Sequence, residues 1–237
     1  MSQRPAILTG FHFTKVALAA FEERCEIVGR MENPTPTAKD VPPGVADKVQ
    51  AIVSTGSVGI SDGMMAALPR LSLFCCYGTG YERVDLAAAR RRGIMVTHGA
   101  DANAPDVAEL AMGILLASTR RIVRADKMIR RGEWTKRIPN RFGAIAGMTG
   151  GRLGILGLGA IGMEVAKRAK GFDLEIGYCN RSRRSDVDYR YFPNVMELAT
   201  WCDYLMVSLR SDSSNKHIDR KSTRLNSSHV SESRMPS

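Results

Sequence analysis

The stretch "RLGILGLGAIGMEVAKRA", Arg152 to Ala169, constrains this chain more than any other. It passes from an apolar strand pattern to a helical one through Gly157, Gly159 and Gly162, spaced G-x-G-x-x-G, with Ile161, Val165, Ala166 and Ala169 at helical intervals. The spacing has a chemical reason. Gly157 permits a tight turn, Gly159 lets the backbone approach a pyrophosphate, and Gly162 lets the helix pack closely on the strand. The helix N-terminus then presents free N–H groups to phosphates. Set between strand and helix, the glycines and the intervening Leu158, Ala160 and Ile161 read as a dinucleotide-binding loop.

The surroundings agree with a nucleotide-binding α/β chain. "AILTG", "CEIVGRM", "VQAIVSTG", "LSLFCCYGTG" and "IMVTHG" alternate with helical runs such as "MMAALPRL" and "DLAAARRRG", the rhythm of a parallel sheet covered on both faces. Residues 1–98 form one such unit and residues 99–218 a second. Between the sheets, Pro105 suits a first helical turn and Asp106 and Glu109 lie near its positive end. Val107, Leu110, Ala111, Ile114 and Leu115 recur at helical spacing, and "RRIVRADKMIRRGEW" continues the pattern, so one long helix is expected there. After it, "FGAIAGMTGG" leads into the second unit.

Composition narrows the partners. The formal charge of +10 is spread over several segments, as on a solvated basic surface that attracts small anions rather than as a nucleic-acid stripe. No run reaches the roughly 18 apolar residues of a spanning helix, and the start lacks a signal-peptide pattern, so a cytoplasmic protein without membrane contact is expected. The five cysteines show no C-x-x-C pair, which argues for buried thiols and against a zinc site.

The stretch "YCNRSRR" stands where dinucleotide-binding chains often carry an acid, at the end of the second strand. An Asp or Glu there binds a ribose 2′-hydroxyl. Here the position holds Asn180, followed by Arg181, Ser182, Arg183 and Arg184, and an amide, a guanidinium and a hydroxyl can all donate to a 2′-phosphate that a carboxylate would repel. The expected cofactor is therefore NADPH in preference to NADH.

Several ordered blocks over about residues 5–218 resemble the D-isomer-specific 2-hydroxyacid dehydrogenases, especially the glyoxylate/hydroxypyruvate reductase group: "CYGTGYERVDLAAARRRGIMVTHGADANAPDVAELAMGILLASTRRI", "GEW", "GGRLGILGLGAIGMEVAKRAKGFDLEIGYCNRSRR" and "CDYLMVSL". The resemblance implies a flavodoxin-like substrate domain, a Rossmann cofactor domain, and a homodimer formed through the helix near Pro105. It places Thr79 and Gly80 of "YGTGYE" under the substrate carboxylate and Ser54, Thr55 and Gly56 of "STGSVG" at another edge of the substrate cleft. Val107 falls near the nicotinamide, with Ser208 and Leu209 on the cofactor side.

The family reaction passes a hydride from the nicotinamide to a 2-keto acid. It needs a cation for the carboxylate, a histidine acid, and a carboxylate that raises the histidine's pKa. In the family an arginine, a glutamate and a histidine supply these after the block matched by "DYLMVSL", and this chain is expected to end before all three, leaving it inactive and aggregation-prone. Of its four histidines, His12, His98 and His217 match no catalytic position, and His229 lies in the tail. Residues 219–237, "RKSTRLNSSHVSESRMPS" after Asp219, read as a disordered non-family tail resembling translated sequencing-adapter readthrough, with a frameshift or a natural extension as alternatives. For the intact protein the expected function is NADPH-dependent reduction of a small 2-keto acid. A nucleotide-sensing co-repressor and a cofactor-binding pseudo-enzyme are the other readings.

Overall fold

The computed structural model describes residues 4–134, 147–209 and 218. The chain divides into two compact units, Met1–Asn103 and Ala104–Ser237. The proposed tail at 219–237, His217 and His229, and the first half of "FGAIAGMTGG" lie outside the described residues.

The first unit runs β1 (Ala6–Thr9), α1 (Lys15–Arg24), β2 (Glu26–Arg30), β3 (Val49–Ser54), α2 (Asp62–Ala66), β4 (Leu73–Cys76), α3 (Leu86–Arg91) and β5 (Met95–His98). Its sheet has the order β2-β1-β3-β4-β5 with every pair parallel, the flavodoxin-like arrangement. Successive strand residues face opposite ways. Leu8, Ile52 and Phe74 therefore join one apolar cluster while Ile7, Ala51 and Val53 join another. Each helix starts at a polar side chain that accepts an otherwise unpaired backbone N–H: Thr14 from Ala17, Ser61 from Met64, and Asp85 from Ala88. Parallel strands put all their C-terminal ends along one edge, and the loops there carry Ser54 to Gly56 and Thr79 to Gly80.

The second unit runs α4 (Ala104–Thr119), α5 (Ile122–Arg130), β6 (Arg152–Leu156), α6 (Ala160–Ala169), β7 (Glu175–Cys179), β8 (Arg190–Phe192), α7 (Val195–Trp201) and β9 (Tyr204–Val207). Its parallel sheet has the order β8-β7-β6-β9, half of a Rossmann fold with its first strand inside. Leu153 and Ile155 of β6 are wholly buried. With Ala108 and Met112 of α4 and Val165, Ala166 and Ala169 of α6 they form one core.

The single long helix expected after Pro105 is corrected to two. The Thr119 hydroxyl turns back to donate to the carbonyls of Leu115, at 2.8 Å, and Leu116, at 3.3 Å. The Arg121 N–H reaches only the Ser118 carbonyl, and Arg121 itself adopts a left-handed φ of 55°. Such side-chain competition for carbonyls, followed by one left-handed residue, ends a helix. The apolar period continued across the break, so spacing alone could not reveal it.

Candidate functional site

At the C-terminal end of β6 the chain turns at Gly157, whose φ of +98° is rarely adopted by residues with a side chain. A Cβ on Gly162 would lie 2.4 Å from the Gly157 carbonyl oxygen, so the start of α6 can pack on the turn only without one. Gly159 differs: a Cβ there would meet nothing within 4 Å, so open space stands before its backbone. Gly159 is also the N-cap of α6 and has no side chain to cap it. The first N–H groups of the helix thus lack intrahelical partners. This cradle fits a pyrophosphate: a positive helix end, a backbone open to approach, and Ala160 and Ile161 as the first helical residues.

Ser208 follows β9 and closes one side of the loop. Its hydroxyl donates to the Gly157 carbonyl at 2.6 Å, and its N–H to Leu156 at 2.9 Å. The Leu209 side chain stands 2.8 Å from where a Gly157 Cβ would be. Ser208 and Leu209 are therefore brought to the glycine loop.

The other side is closed from β7. Asn180 stands just past the strand, and its Oδ1 accepts the Leu158 N–H at 2.6 Å while its Nδ2 approaches the Leu158 carbonyl at 3.5 Å. The carboxamide expected to face a 2′-phosphate is thus engaged with the loop backbone. Arg181, Ser182 and Arg183 follow it, all exposed. Arg184 turns back, donating from Nη1 to the Leu158 carbonyl at 3.1 Å and pairing with Asp186. That pairing raises the Arg184 pKa and holds the Asp186 carboxyl below its ordinary value. The role of Arg184 at the Leu158 carbonyl is not evident from the basic run itself, where the acid two residues on, Asp186, was the usable signal. Val107, in the first turn of α4, is half-buried.

In the first unit the two candidate substrate loops are backed against each other. The Tyr77 N–H donates to the Ser54 carbonyl at 2.6 Å, and the Arg83 N–H to the Gly56 carbonyl at 3.2 Å. A Cβ on Gly56 would lie 1.9 Å from the Gly80 carbonyl oxygen, so the loops approach this closely only because Gly56 has none. Ser54 is wholly buried, and its hydroxyl has no hydrogen-bond partner among the described residues. The Thr55 and Ser57 hydroxyls lie 2.8 Å apart, and Thr79 and Gly80 are half-exposed.

The described histidines are occupied. His98 accepts the Ala100 N–H at 3.1 Å and packs against Tyr81, with ring centroids 5.0 Å apart. His12 lies 2.7 Å from an Arg30 nitrogen. Among the described residues no cluster could hold a metal ion, and no helix is long and apolar enough to cross a membrane. Cys76, Cys179 and Cys202 are buried, while Cys25 and Cys75 are only partly so.

Residues 112–226 match the family model for the D-isomer specific 2-hydroxyacid dehydrogenase NAD binding domain. Over 173 residues the chain is 37% identical to a hydroxyphenylpyruvate reductase of Plectranthus scutellarioides, covering 73% of this chain and 54% of the relative. The chain thus spans about half the length of the curated relatives it matches. Among solved structures it resembles a 2-hydroxyacid dehydrogenase from Ketogulonicigenium vulgare Y25, with a TM-score of 0.79, 32% identity, and coverage of 91% of this chain and 67% of the other. It also resembles an NADPH-dependent glyoxylate/hydroxypyruvate reductase from Sinorhizobium meliloti in complex with NADP and malonate, with a TM-score of 0.77, 30% identity, and coverage of 90% and 65%. Glycine loop, sheet order and sequence likeness converge: the chain belongs to the D-isomer-specific 2-hydroxyacid dehydrogenase family.

Proposed function

We propose that the intact protein is an NADPH-dependent reductase of small 2-keto acids, of the glyoxylate or hydroxypyruvate type, and that this chain, which spans about half the length of its curated relatives, carries the cofactor-binding part without turnover. The observation that carries this reading is the end of β7, where Asn180 is tied to the glycine loop and the exposed Arg181, Ser182 and Arg183 follow. A cationic and hydroxylic run at that place favours a 2′-phosphate, and the relative from Sinorhizobium meliloti, described as NADPH-dependent, supports it. Two charge-assisted hydrogen bonds at about 1.5–3 kcal/mol each, discounted for exposure, correspond to a preference of order ten- to a thousandfold.

When bound, the nicotinamide supplies the hydride. The glycine loop, with Ser208 and Leu209 beside it, holds the pyrophosphate, and Val107 serves the nicotinamide end. The N–H groups of Thr79 and Gly80 take the substrate carboxylate, with Ser54, Thr55 and Gly56 shaping the same cleft. His12 and His98 are both engaged elsewhere and are not assigned as proton donor. The substrate class rests on relatives named as reductases of hydroxyphenylpyruvate, glyoxylate and hydroxypyruvate.

The same reading makes the protein a cytoplasmic homodimer through α4 and α5. Leu110, Ile114, Ile122, Val123 and Ile129 are exposed along these helices, and a cavity of about 780 Å³ between them is lined by Ile114, Val123 and Met128 beside Arg121, Arg124 and Lys127. An apolar patch of this kind suits a protein surface more than water.

Calorimetric titration with NADPH and NADH tests the cofactor assignment, and nicotinamide oxidation with glyoxylate, hydroxypyruvate and hydroxyphenylpyruvate tests the reaction in the full-length protein. Tighter binding of NADPH and turnover of one of these acids are expected; equal affinity for the two cofactors, or no turnover, would remove the corresponding half.

A further inference from the structure

Leu158 is the residue between the first two glycines, and its backbone is held from outside on both sides. Its N–H goes to the Asn180 carboxamide at 2.6 Å, and its carbonyl accepts from Arg184 Nη1 at 3.1 Å. Leu158 is 1% exposed, so the residue is fixed by packing as well.

Arg184 is itself anchored twice. Its Nε and Nη2 donate to the two carboxylate oxygens of Asp186 at 2.9 and 2.5 Å, a forked pair that uses one whole edge of the guanidinium. Its backbone N–H donates to the hydroxyl of Tyr178 at 2.9 Å, and Tyr178 is wholly buried in the core. The remaining Nη1 is the group spent on Leu158. Paired with Asp186, the guanidinium also offers little net charge to a dianionic phosphate.

We infer that Arg184 is a positioning residue: held by Asp186 and Tyr178, it fastens the glycine loop through the Leu158 carbonyl and does not read the 2′-phosphate. Resting on the cofactor reading above, this divides the basic run in two. Arg181, Ser182 and Arg183 select between cofactors, whereas Arg184 serves the pyrophosphate loop common to both. A loop rich in glycine loses more freedom on binding when it is not held beforehand, so releasing it weakens any dinucleotide.

The test is calorimetry on the protein and its variants Arg184→Gln, Arg184→Lys and Arg181→Gln, with NADPH, NADH and adenosine 2′-monophosphate. Arg184→Gln is expected to weaken NADPH and NADH by the same factor, about tenfold, while binding of adenosine 2′-monophosphate and the thermal midpoint stay near wild type. Arg184→Lys should lose as much, because an ammonium keeps the charge but cannot fork Asp186 and reach Leu158 together. Arg181→Gln should weaken NADPH and adenosine 2′-monophosphate alone. A loss in either Arg184 variant confined to NADPH and the monophosphate makes Arg184 a reader and overturns the inference, as does wild-type affinity of Arg184→Lys for both dinucleotides. If the wild-type protein binds NADPH and NADH equally, the cofactor assignment fails while the equal loss in Arg184→Gln still decides the role of Arg184.

Discussion

Asp203 closes the start of the second sheet by binding Arg152 three times. One carboxylate oxygen accepts the Arg152 backbone N–H at 2.9 Å and its Nε at 3.3 Å, and the other accepts Nη2 at 3.2 Å. The Asp203 side chain is 8% exposed and that of Arg152 36%, so water screens only part of the pair. It joins the first residue of β6 to the residue before β9. Asp203→Ala leaves both the N–H and the guanidinium without this acceptor, and a loss of about 1–3 kcal/mol is expected in chemical denaturation. Asp203→Asn should lose less, because an amide oxygen can still serve the backbone.

The glycines of the loop separate stability from binding. Gly162→Ala puts a methyl 2.4 Å from the Gly157 carbonyl oxygen, so the protein should lose both cofactor binding and about 1–3 kcal/mol of stability. Gly159→Ala points into open space, and its thermal midpoint should hardly move while dinucleotide affinity falls at least about tenfold. Thermal melts beside calorimetry check the contrast. A midpoint for Gly159→Ala as low as that of Gly162→Ala would contradict it.

Asn180→Asp retains an oxygen for the Leu158 N–H and brings a negative charge to the end of β7. The glycine loop should keep its shape, and the preference should move toward NADH by about ten- to a hundredfold. Asn180→Leu removes the acceptor, and both cofactors should bind less well. Competitive titration of the two cofactors measures each.

Ile129→Asp tests the proposed dimer. Ile129 is 58% exposed in α5, so a charge there should leave the fold unchanged and reduce the particle mass in light scattering from dimer toward monomer. An unchanged dimer mass would place the interface elsewhere.

Thiol chemistry gives a pH signature. Burial pushes Cys76 and Cys202 up to about 11 from an ordinary value of 9.0. Each folded pKa is raised, so their contribution to stability is complete below the unfolded value and disappears as pH rises from about 9 to about 11. At pH 8 a thiol reagent should label these two only after unfolding, whereas partly exposed Cys25 and Cys75 react first.

Much of this was legible in the sequence because short-range chemistry wrote it there. The glycine spacing located the turn, and alternating apolar runs foretold both parallel sheets. What stayed hidden depends on where side chains turn. The hydroxyl of Thr119 bends back and ends a helix whose apolar period runs on. Asn180 was read as facing a ligand, since composition alone cannot tell a carboxamide pointing outward from one spent on the neighbouring loop. Arg184 looked like one more positive charge until its carboxylate partner two residues on was seen to fork it. Gly56 is a similar case, for only the approach of Gly80 explains it.

Trp201 gives the chain a built-in optical gauge. Its ring packs beside Phe192, with centroids 5.1 Å apart, and lies under the guanidinium groups of Arg152 and Arg190 at 5.7 and 5.6 Å. It also comes within 2.4 Å of where a Gly177 Cβ would be, near the middle of β7 and away from the glycine loop at the strand ends. The only other tryptophan is Trp134. In a Trp134→Phe background, emission would therefore report the integrity of the second sheet by itself, and binding-defective variants could be sorted from misfolded ones by colour alone.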